Sequence, residues 1–342
     1  MKAKYLVAAL AAAPITNALA AETAVTFSGQ VNVAALAGDA LDDLTIVDNN
    51  TTGSRFRIRT TTKFGDGFSA GLRYELQAQF AQSNDGTEIG TNSGVGQGAL
   101  REVRYADVFV AGPFGKFAIG RGDGAANGTS ESYGILNFLG GAEAHLLFNG
   151  AGSDFSDIDG NSRRNRIRYD TPSFNGLQGV VTLNNEDEQE GAVTFDKTGD
   201  FGKVRARAGV TSGDDDESTF DISAAYKFPF GLGLNFSAGS RDNAAGDTTS
   251  ENIWLMASYD IGKNFTISAG FGTEDELEVD ADLGINEEVE HDIGIFSVVW
   301  KPAKSTSVYA NFGIWENGLA AGQVEADNDD SSIFALGGHY RF

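Results

Sequence analysis

The chain ends in a segment in which apolar side chains recur at every second position, and this alternation continues to the last residue. Between Ser331 and Phe342, one face of an extended strand carries Phe334, Leu336, Gly338, Tyr340 and Phe342. A period of two is that of a pleated strand. A terminal strand leaves backbone donors open unless both of its edges are paired, and in a closed transmembrane barrel the last strand pairs with the first. The ending therefore predicts a barrel that is closed by its two terminal strands.

Segments of about ten residues with the same alternation recur along the chain, as in the strands of transmembrane barrels. The clearest is Phe68 to Phe80, in which apolar residues occupy one face and polar residues the other. The pattern is repeated in Thr219 to Phe228, Leu232 to Ala238, Phe265 to Phe271 and Val308 to Ile314. Val289 to Trp300 is ambiguous, because both of its faces carry apolar residues. A soluble sandwich also alternates, so the period alone does not decide the fold class.

The connections between these segments separate the two alternatives. Short turns rich in Gly and Pro alternate with longer acidic or Gly-rich connections, and aromatic residues flank the short turns. These residues are Phe64, Phe68, Phe114, Phe117, Phe174, Phe201, Phe228, Phe230, Phe265 and Trp300. Aromatic rings prefer the membrane interface. The sequence therefore predicts an all-β fold, a transmembrane antiparallel β-barrel of about 16 strands that encloses an aqueous channel.

The N-terminus has the features of a secretory signal peptide. Met1 to Lys4 is basic, Tyr5 to Ile15 is apolar but too short to span a bilayer, and Ala18 to Ala20 is a small-residue cleavage site. We expect residues 1–20 to be removed and residues 21–342 to form a single barrel domain. The chain has no cysteine, so no disulfide supports the exported fold. Its formal net charge of −23 makes nucleic acid an improbable partner.

The longest connection runs from Gly122 to Ser162, and a connection of this length in a compact fold is usually functional. Its acidic residues are Asp123, Glu131, Glu143, Asp154, Asp157 and Asp159. Two interpretations remain open for residues 122–162. The connection is either a solvated external loop or an acidic constriction that lies inside the lumen.

Arginines recur at every second position on two of the predicted strands. The predicted pore-lining set is Arg55, Arg57, Arg59, Arg73, Arg104, Arg121, Arg164, Arg166 and Arg168, and Arg205 and Arg207 extend it. An arginine near the membrane midplane on a barrel exterior costs about 2–4 kcal/mol, so these side chains are expected to face the lumen. Opposite an acidic loop they would set up a transverse field across the pore. Alternatively, they pair with lumenal carboxylates and hold the loop in place.

Several motifs resemble the general diffusion porins of Gram-negative outer membranes over the whole mature length. Ser54 to Phe56 with Phe64 to Phe68 resembles the second hairpin of that family, and Arg101 to Arg121 its fourth and fifth strands. Asn165 to Pro172 is similar to the strand after the constriction loop, and Tyr340 to Phe342 to the assembly signal. The resemblance implies a homotrimer of 16-stranded barrels, each with an inward-folded third external loop. It also implies that the barrel-assembly machinery recognises the strand ending in Phe342.

Other chemistry has little support in the sequence. His145, His291 and His339 lack metal-ligand spacing, and no catalytic or metal site is predicted. The acidic runs Asp214 to Glu217 and Asp327 to Asp330 are either solvated loops or sites where a divalent cation such as calcium bridges to lipopolysaccharide phosphates.

The combined features predict an outer-membrane channel for passive diffusion of small hydrophilic solutes and ions, and not an enzyme. A porin selective for one class of charged or sugar solutes, a plugged structural or adhesive barrel and an outer-membrane hydrolase are the alternatives. Cation against anion preference stays open, because acidic loops favour cations at the mouth and arginines favour anions inside.

Overall fold

The computed structural model of the protein describes residues 22–38, 44–49, 52–78, 102–136, 160, 162–184, 188–213, 217–280, 285–317 and 331–342. The predicted signal peptide, most of the longest connection and the acidic run Asp327 to Asp330 lie outside these ranges. Within them, no helix has the length and apolar character needed to cross a bilayer.

Seventeen strands form one antiparallel sheet within the described part of the chain. They are β1 Glu22–Ala37, β2 Thr45–Asp48, β3 Arg55–Lys63, β4 Ser69–Gln77, β5 Glu102–Gly112, β6 Gly115–Asp123, β7 Arg163–Asp170, β8 Leu177–Asn184, β9 Gln189–Gly199, β10 Gly202–Ser212, β11 Ser218–Lys227, β12 Leu232–Asp242, β13 Thr248–Ile261, β14 Phe265–Asp280, β15 Ile285–Ala303, β16 Thr306–Asn317 and β17 Ser331–Arg341. Each consecutive pair from β3 to β17 is hydrogen-bonded.

The sheet closes on itself through β1. One edge of β1 pairs with β17, from Gln30 opposite Arg341 to Ala37 opposite Phe334. The other edge pairs with β3 along its first half and with the short β2 along its second half. Because β2 and β3 share one position, the described strands form a closed barrel of sixteen strand positions, which confirms the predicted fold class.

The last residue completes the seam between β17 and β1. The Gly29 amide donates to the Phe342 carbonyl oxygen at 3.0 Å, and the Phe342 amide donates to the Gly29 oxygen at 3.1 Å. The Phe342 ring lies directly over Gly29, and a Cβ atom at residue 29 would stand 2.4 Å from the ring. A side chain at position 29 would therefore displace the terminal ring.

The outer face of the barrel is apolar along the strands. Large apolar side chains exposed on it include Phe27, Leu72, Val108, Ile119, Val181, Val193, Phe220, Phe236, Leu255, Phe271, Phe312 and Leu336. In the ambiguous strand, Phe296 and Trp300 are exposed on this face, whereas Ile293, Ile295 and Val299 are buried on the inner face. The structure thus resolves the orientation that the sequence left open.

The inner face has two chemically different parts. Strands β3 to β7 carry the arginines and their carboxylate partners. In contrast, the inner side of β13, β15 to β17, β1 and β2 carries a buried apolar cluster that includes Trp254, Ile293 and Leu36. Tyr133 and Leu136, from the connection between β6 and β7, belong to the same cluster. The simple expectation of a polar face toward the lumen is therefore wrong for this part, because an apolar wall is stable where a loop covers it.

Candidate pore constriction

Three arginines of the inner wall share one carboxylate. Cross-strand pairing sets Arg57 opposite Glu75, and the Arg57 Nε lies 2.5 Å from a Glu75 oxygen. The other Glu75 oxygen lies 3.0 Å from the Arg104 guanidinium and 3.6 Å from the Arg55 guanidinium. Glu75 has no exposed surface. The sequence places Glu75 on the polar face of its strand but does not reveal that it serves three arginines.

A β-bulge brings Arg104 to this cluster. Simple alternation would place Arg104 on the outer face, since it is an even number of residues from the exposed Val108. The pairing of β4 with β5 shifts between Glu75, opposite Tyr105, and Leu76, opposite Val103. Arg104 is the extra residue, and its guanidinium binds Glu75 and the Gln77 side-chain oxygen.

A second carboxylate, Asp107, is shared by two arginines. The Arg73 guanidinium lies 2.9 Å and the Arg166 guanidinium 2.7 Å from an Asp107 oxygen. Only 1% of the Arg166 side chain is exposed, so this arginine is part of the wall and is not accessible to solute. On the same strand, Arg168 binds Asp170 at 2.9 Å.

The remaining arginines of the predicted set differ in their partners. Arg164 lies 3.9 Å from Glu188. Arg59 is exposed, stands opposite Arg73 in the ladder and makes no ion pair with a described residue. Beyond this set, Arg205 binds Asp196 at 2.6 Å.

Arg121 does not belong to the inner wall. It shares the strand face of the exposed Ile119 and binds Glu102 at 2.7 Å. The inward positions beside it are Gly120 and Gly122, and a Cβ atom on Gly122 would collide with the Arg166 guanidinium. Small residues must therefore face inward here, which turns Arg121 outward and corrects the predicted pore-lining set.

The first part of the long connection runs along the inner wall. Strand β6 continues to Asp123, so the connection begins at Gly124 and not at Gly122. Arg166 donates to the Asp123 carbonyl oxygen at 2.8 Å, and Arg168 donates to that of Gly124 at 2.6 Å. The Ala126 amide donates to Glu190 at 2.8 Å. Arg166 and Arg168 therefore bind carboxylates and also bind the main chain at the start of the long connection.

Further contacts extend along β10 and β11. Arg207 donates to the Gly128 carbonyl oxygen, and Ser223 donates to that of Thr129. The Ser223 hydroxyl also contacts the Ser132 hydroxyl at 2.6 Å, at the start of the 3₁₀ turn Ser132–Ile135. Residues 124–136 are thus attached to three successive lumen-facing strands, β9 to β11.

Of the predicted acidic loop residues, two are described. The Asp123 carboxylate accepts a hydrogen bond from the Tyr105 hydroxyl and lies 3.4 Å from Arg163. Desolvation raises the pKa of Glu131, against the opposing charge of Arg207. Glu143, Asp154, Asp157 and Asp159 lie outside the described residues. No group of three or more His, Cys, Asp or Glu side chains in the described ranges is arranged to hold a metal ion.

Comparison with known proteins identifies the family. The model of the Gram-negative porin family matches residues 6–342. The chain belongs to this family. Outer membrane porin protein 32 of Delftia acidovorans is 23% identical to this porin over 357 residues, covering 95% of this chain and 96% of the relative.

Solved structures share the fold of this porin at low sequence identity. An anion-selective porin from Comamonas acidovorans superposes with a TM-score of 0.66 at 19% identity, covering 94% of this chain and all of that chain. OmpT of Vibrio cholerae superposes with a TM-score of 0.65 at 15% identity, covering 96% and 100%. Family and fold together establish an outer-membrane channel for passive diffusion.

Proposed function

We propose that this porin is a diffusion pore for small hydrophilic solutes that favours anions at its narrowest part. The constriction would lie between the arginine wall of β3 to β7 and the loop that follows Asp123. The observation that carries the proposal is the charge balance of this wall. Its inward arginines outnumber Glu75, Asp107 and Asp170, the carboxylates with which they pair on the same strands.

The excess of arginines over carboxylates on this wall determines the sign of the electric field in the constriction. Guanidinium groups keep their charge at any physiological pH. Arg59 is exposed, and 36% of the Arg57 side chain remains exposed beside Glu75. These two arginines can therefore attract a passing anion. The net charge of −23 favours cations at a distance, but salt screens charges beyond about 8 Å under physiological conditions, so nearby groups dominate inside the pore.

The relative from Comamonas acidovorans is described as anion-selective, which supports the same preference here. Selection by size and charge needs no bond-making step, so we propose no enzymatic activity. Conductance that saturates with one solute would indicate the alternative, a porin selective for a single solute class. The absence of channel conductance in a planar bilayer would indicate a plugged barrel.

Neutralising an exposed pore arginine tests the proposal. We expect Arg59→Gln to shift the reversal potential in a salt gradient toward cations, because it removes an unpaired positive charge from the lumen. Arg121→Gln is the matched control, since it removes an arginine from the outer face and should leave the reversal potential unchanged. Equal reversal potentials for wild type and Arg59→Gln would contradict the proposed selectivity.

We also propose how the protein is exported and assembled. Residues 1–20 would act as a signal peptide, and the barrel-assembly machinery would recognise the strand that ends in Phe342. The mature barrels would form a homotrimer surrounded by lipopolysaccharide, with calcium bound at the acidic external runs. N-terminal sequencing and the mobility of unheated samples on denaturing gels test cleavage and trimer formation.

A further inference from the structure

Tyr105 occupies the point where the arginine wall meets the start of the long connection. It is one of the residues at the bulge in β5 and stands opposite Glu75. The Arg73 guanidinium carbon lies 3.5 Å from the centre of its ring, and that of Arg163 lies 5.7 Å away. Its hydroxyl donates to Asp123. Tyr105 therefore contacts two cations and one anion at once.

We propose that Tyr105 is a positioning residue for ion selectivity, because its hydroxyl holds the Asp123 carboxylate beside Arg163 and its ring holds Arg73 in place. This inference rests on the proposed anion preference. The sequence alone does not indicate that Asp123 and Arg73 depend on Tyr105, because no pattern distinguishes this tyrosine from the others.

The contacts of Asp123 show why the hydroxyl matters. The Asp123 main chain is fixed by Arg166 at 2.8 Å, and Arg168 lies 3.4 Å from the same oxygen. Its side chain has only two described partners, the Tyr105 hydroxyl and Arg163 at 3.4 Å. A quarter of the Asp123 side chain is exposed. Without the hydroxyl, this partly exposed carboxylate would keep only Arg163 as a partner, so it could rotate toward water and expose its negative charge.

The ring of Tyr105 has a separate effect on Arg73. A guanidinium at 3.5 Å from an aromatic centre is in van der Waals contact with the ring face and is attracted by its quadrupole. The same guanidinium binds Asp107 at 2.9 Å. Ring and carboxylate together confine Arg73, so the ring keeps this positive charge at a fixed place in the wall.

The conservative substitution Tyr105→Phe separates the two effects, because it keeps the ring and removes the hydroxyl. We expect the anion-to-cation permeability ratio, measured from reversal potentials, to fall by about twofold. This is the change in the Coulomb interaction with a passing ion that we expect when one unit charge moves by a side-chain length in water. Single-channel conductance should change little. Tyr169→Phe is the matched control, since the Tyr169 hydroxyl donates to the Phe114 carbonyl oxygen and has no contact with Asp123.

A double-variant cycle then tests whether the effect passes through Asp123. In an Asp123→Asn background, Tyr105→Phe should no longer change the permeability ratio, because no carboxylate remains to be released. A persistent effect in that background would overturn the inference. An unchanged ratio for Tyr105→Phe alone would also overturn it, while a shift in Arg59→Gln would show that the proposed function still stands.

Discussion

The charge that a pore residue presents depends on which carboxylate it shares. Glu75 neutralises part of the charge of Arg55, Arg57 and Arg104, and Asp107 does the same for Arg73 and Arg166. A buried carboxylate with several cationic partners keeps the arginines near one another despite their mutual repulsion. The number of arginines on a strand therefore overstates the positive charge that a solute meets.

The raised pKa of Glu131 predicts that the attachment of residues 124–136 to the barrel wall depends on pH. Burial raises its pKa, Asp123 adds to the increase and Arg207 opposes it. A raised pKa means that the attached loop prefers the protonated carboxyl. Attachment is thus most stable below the ordinary carboxyl range and weakens as the pH rises through the raised pKa. Hydrogen exchange in residues 124–136, corrected for intrinsic rates, should show protection that decreases as the pH rises above the ordinary carboxyl range.

Glu131→Gln supplies the comparison for this prediction. A permanently neutral side chain should flatten the pH profile and give higher protection than wild type at the alkaline end. Asp66→Asn, at an exposed turn outside the loop, should leave the profile as in wild type. Identical profiles for Glu131→Gln and wild type would show that another group controls attachment.

The sequence predicts the face of the barrel on which an arginine lies only where the alternation of the strand is regular. Arg55, Arg57 and Arg59 share one face of β3, opposite the face of Ile58, whose partner Phe27 is exposed, because simple alternation holds along this strand. Arg104 reaches that face only through a bulge, and Arg121 is turned outward because Arg166 needs the space above Gly122. Both outcomes depend on contacts between strands far apart in sequence, which a local period does not contain.

At the scale of a strand, the outward face and the closure of the barrel were predictable where one face is uniformly apolar. The terminal strand β17 is such a case, since Phe334, Leu336 and Tyr340 are all exposed on its outer face. Strand β15 is the opposite case, because its inner face is apolar where it belongs to the cluster that includes Tyr133 and Leu136. An apolar face of a barrel strand can contact either the lipid or a loop packed inside the barrel. Where a loop packs inside, the sequence pattern therefore does not show which face is the outer one.

The terminal seam predicts a strong effect of a side chain at position 29. In Gly29→Val, the added atoms would collide with the Phe342 ring, which a Cβ atom alone would approach to 2.4 Å, and with the Arg55 carbonyl oxygen, which it would approach to 2.8 Å. We expect a large loss of folded barrel, measured as the heat-modifiable band on denaturing gels. Gly338→Val is the matched control on the outer face of β17, because a Cβ atom there meets nothing within 4 Å. Equal folded yields for the two variants would refute the role assigned to the terminal ring.

At the scale of the whole molecule, selectivity should depend on ionic strength. Fixed charges act over about 10 Å at 0.1 M salt but only about 3 Å at 1 M. With the ratio of the two bath concentrations held constant, we expect the reversal potential to move toward zero as both concentrations rise. Uptake of a neutral sugar should stay constant. A reversal potential independent of salt would favour selection by size or dehydration.

The position of Phe342 has a consequence for how well the closing edge of the barrel is protected. Phe342 supplies two hydrogen bonds and a ring that join the end of β17 to Gly29 of β1. Without Phe342, β17 and β1 would still pair from Gln30 opposite Arg341 to Ala37 opposite Phe334, but the Gly29 amide and carbonyl groups would lose their partner. An unpaired backbone step at the rim of the cylinder would then be open to the edge strand of another chain, so this single aromatic residue shields the join against intermolecular pairing.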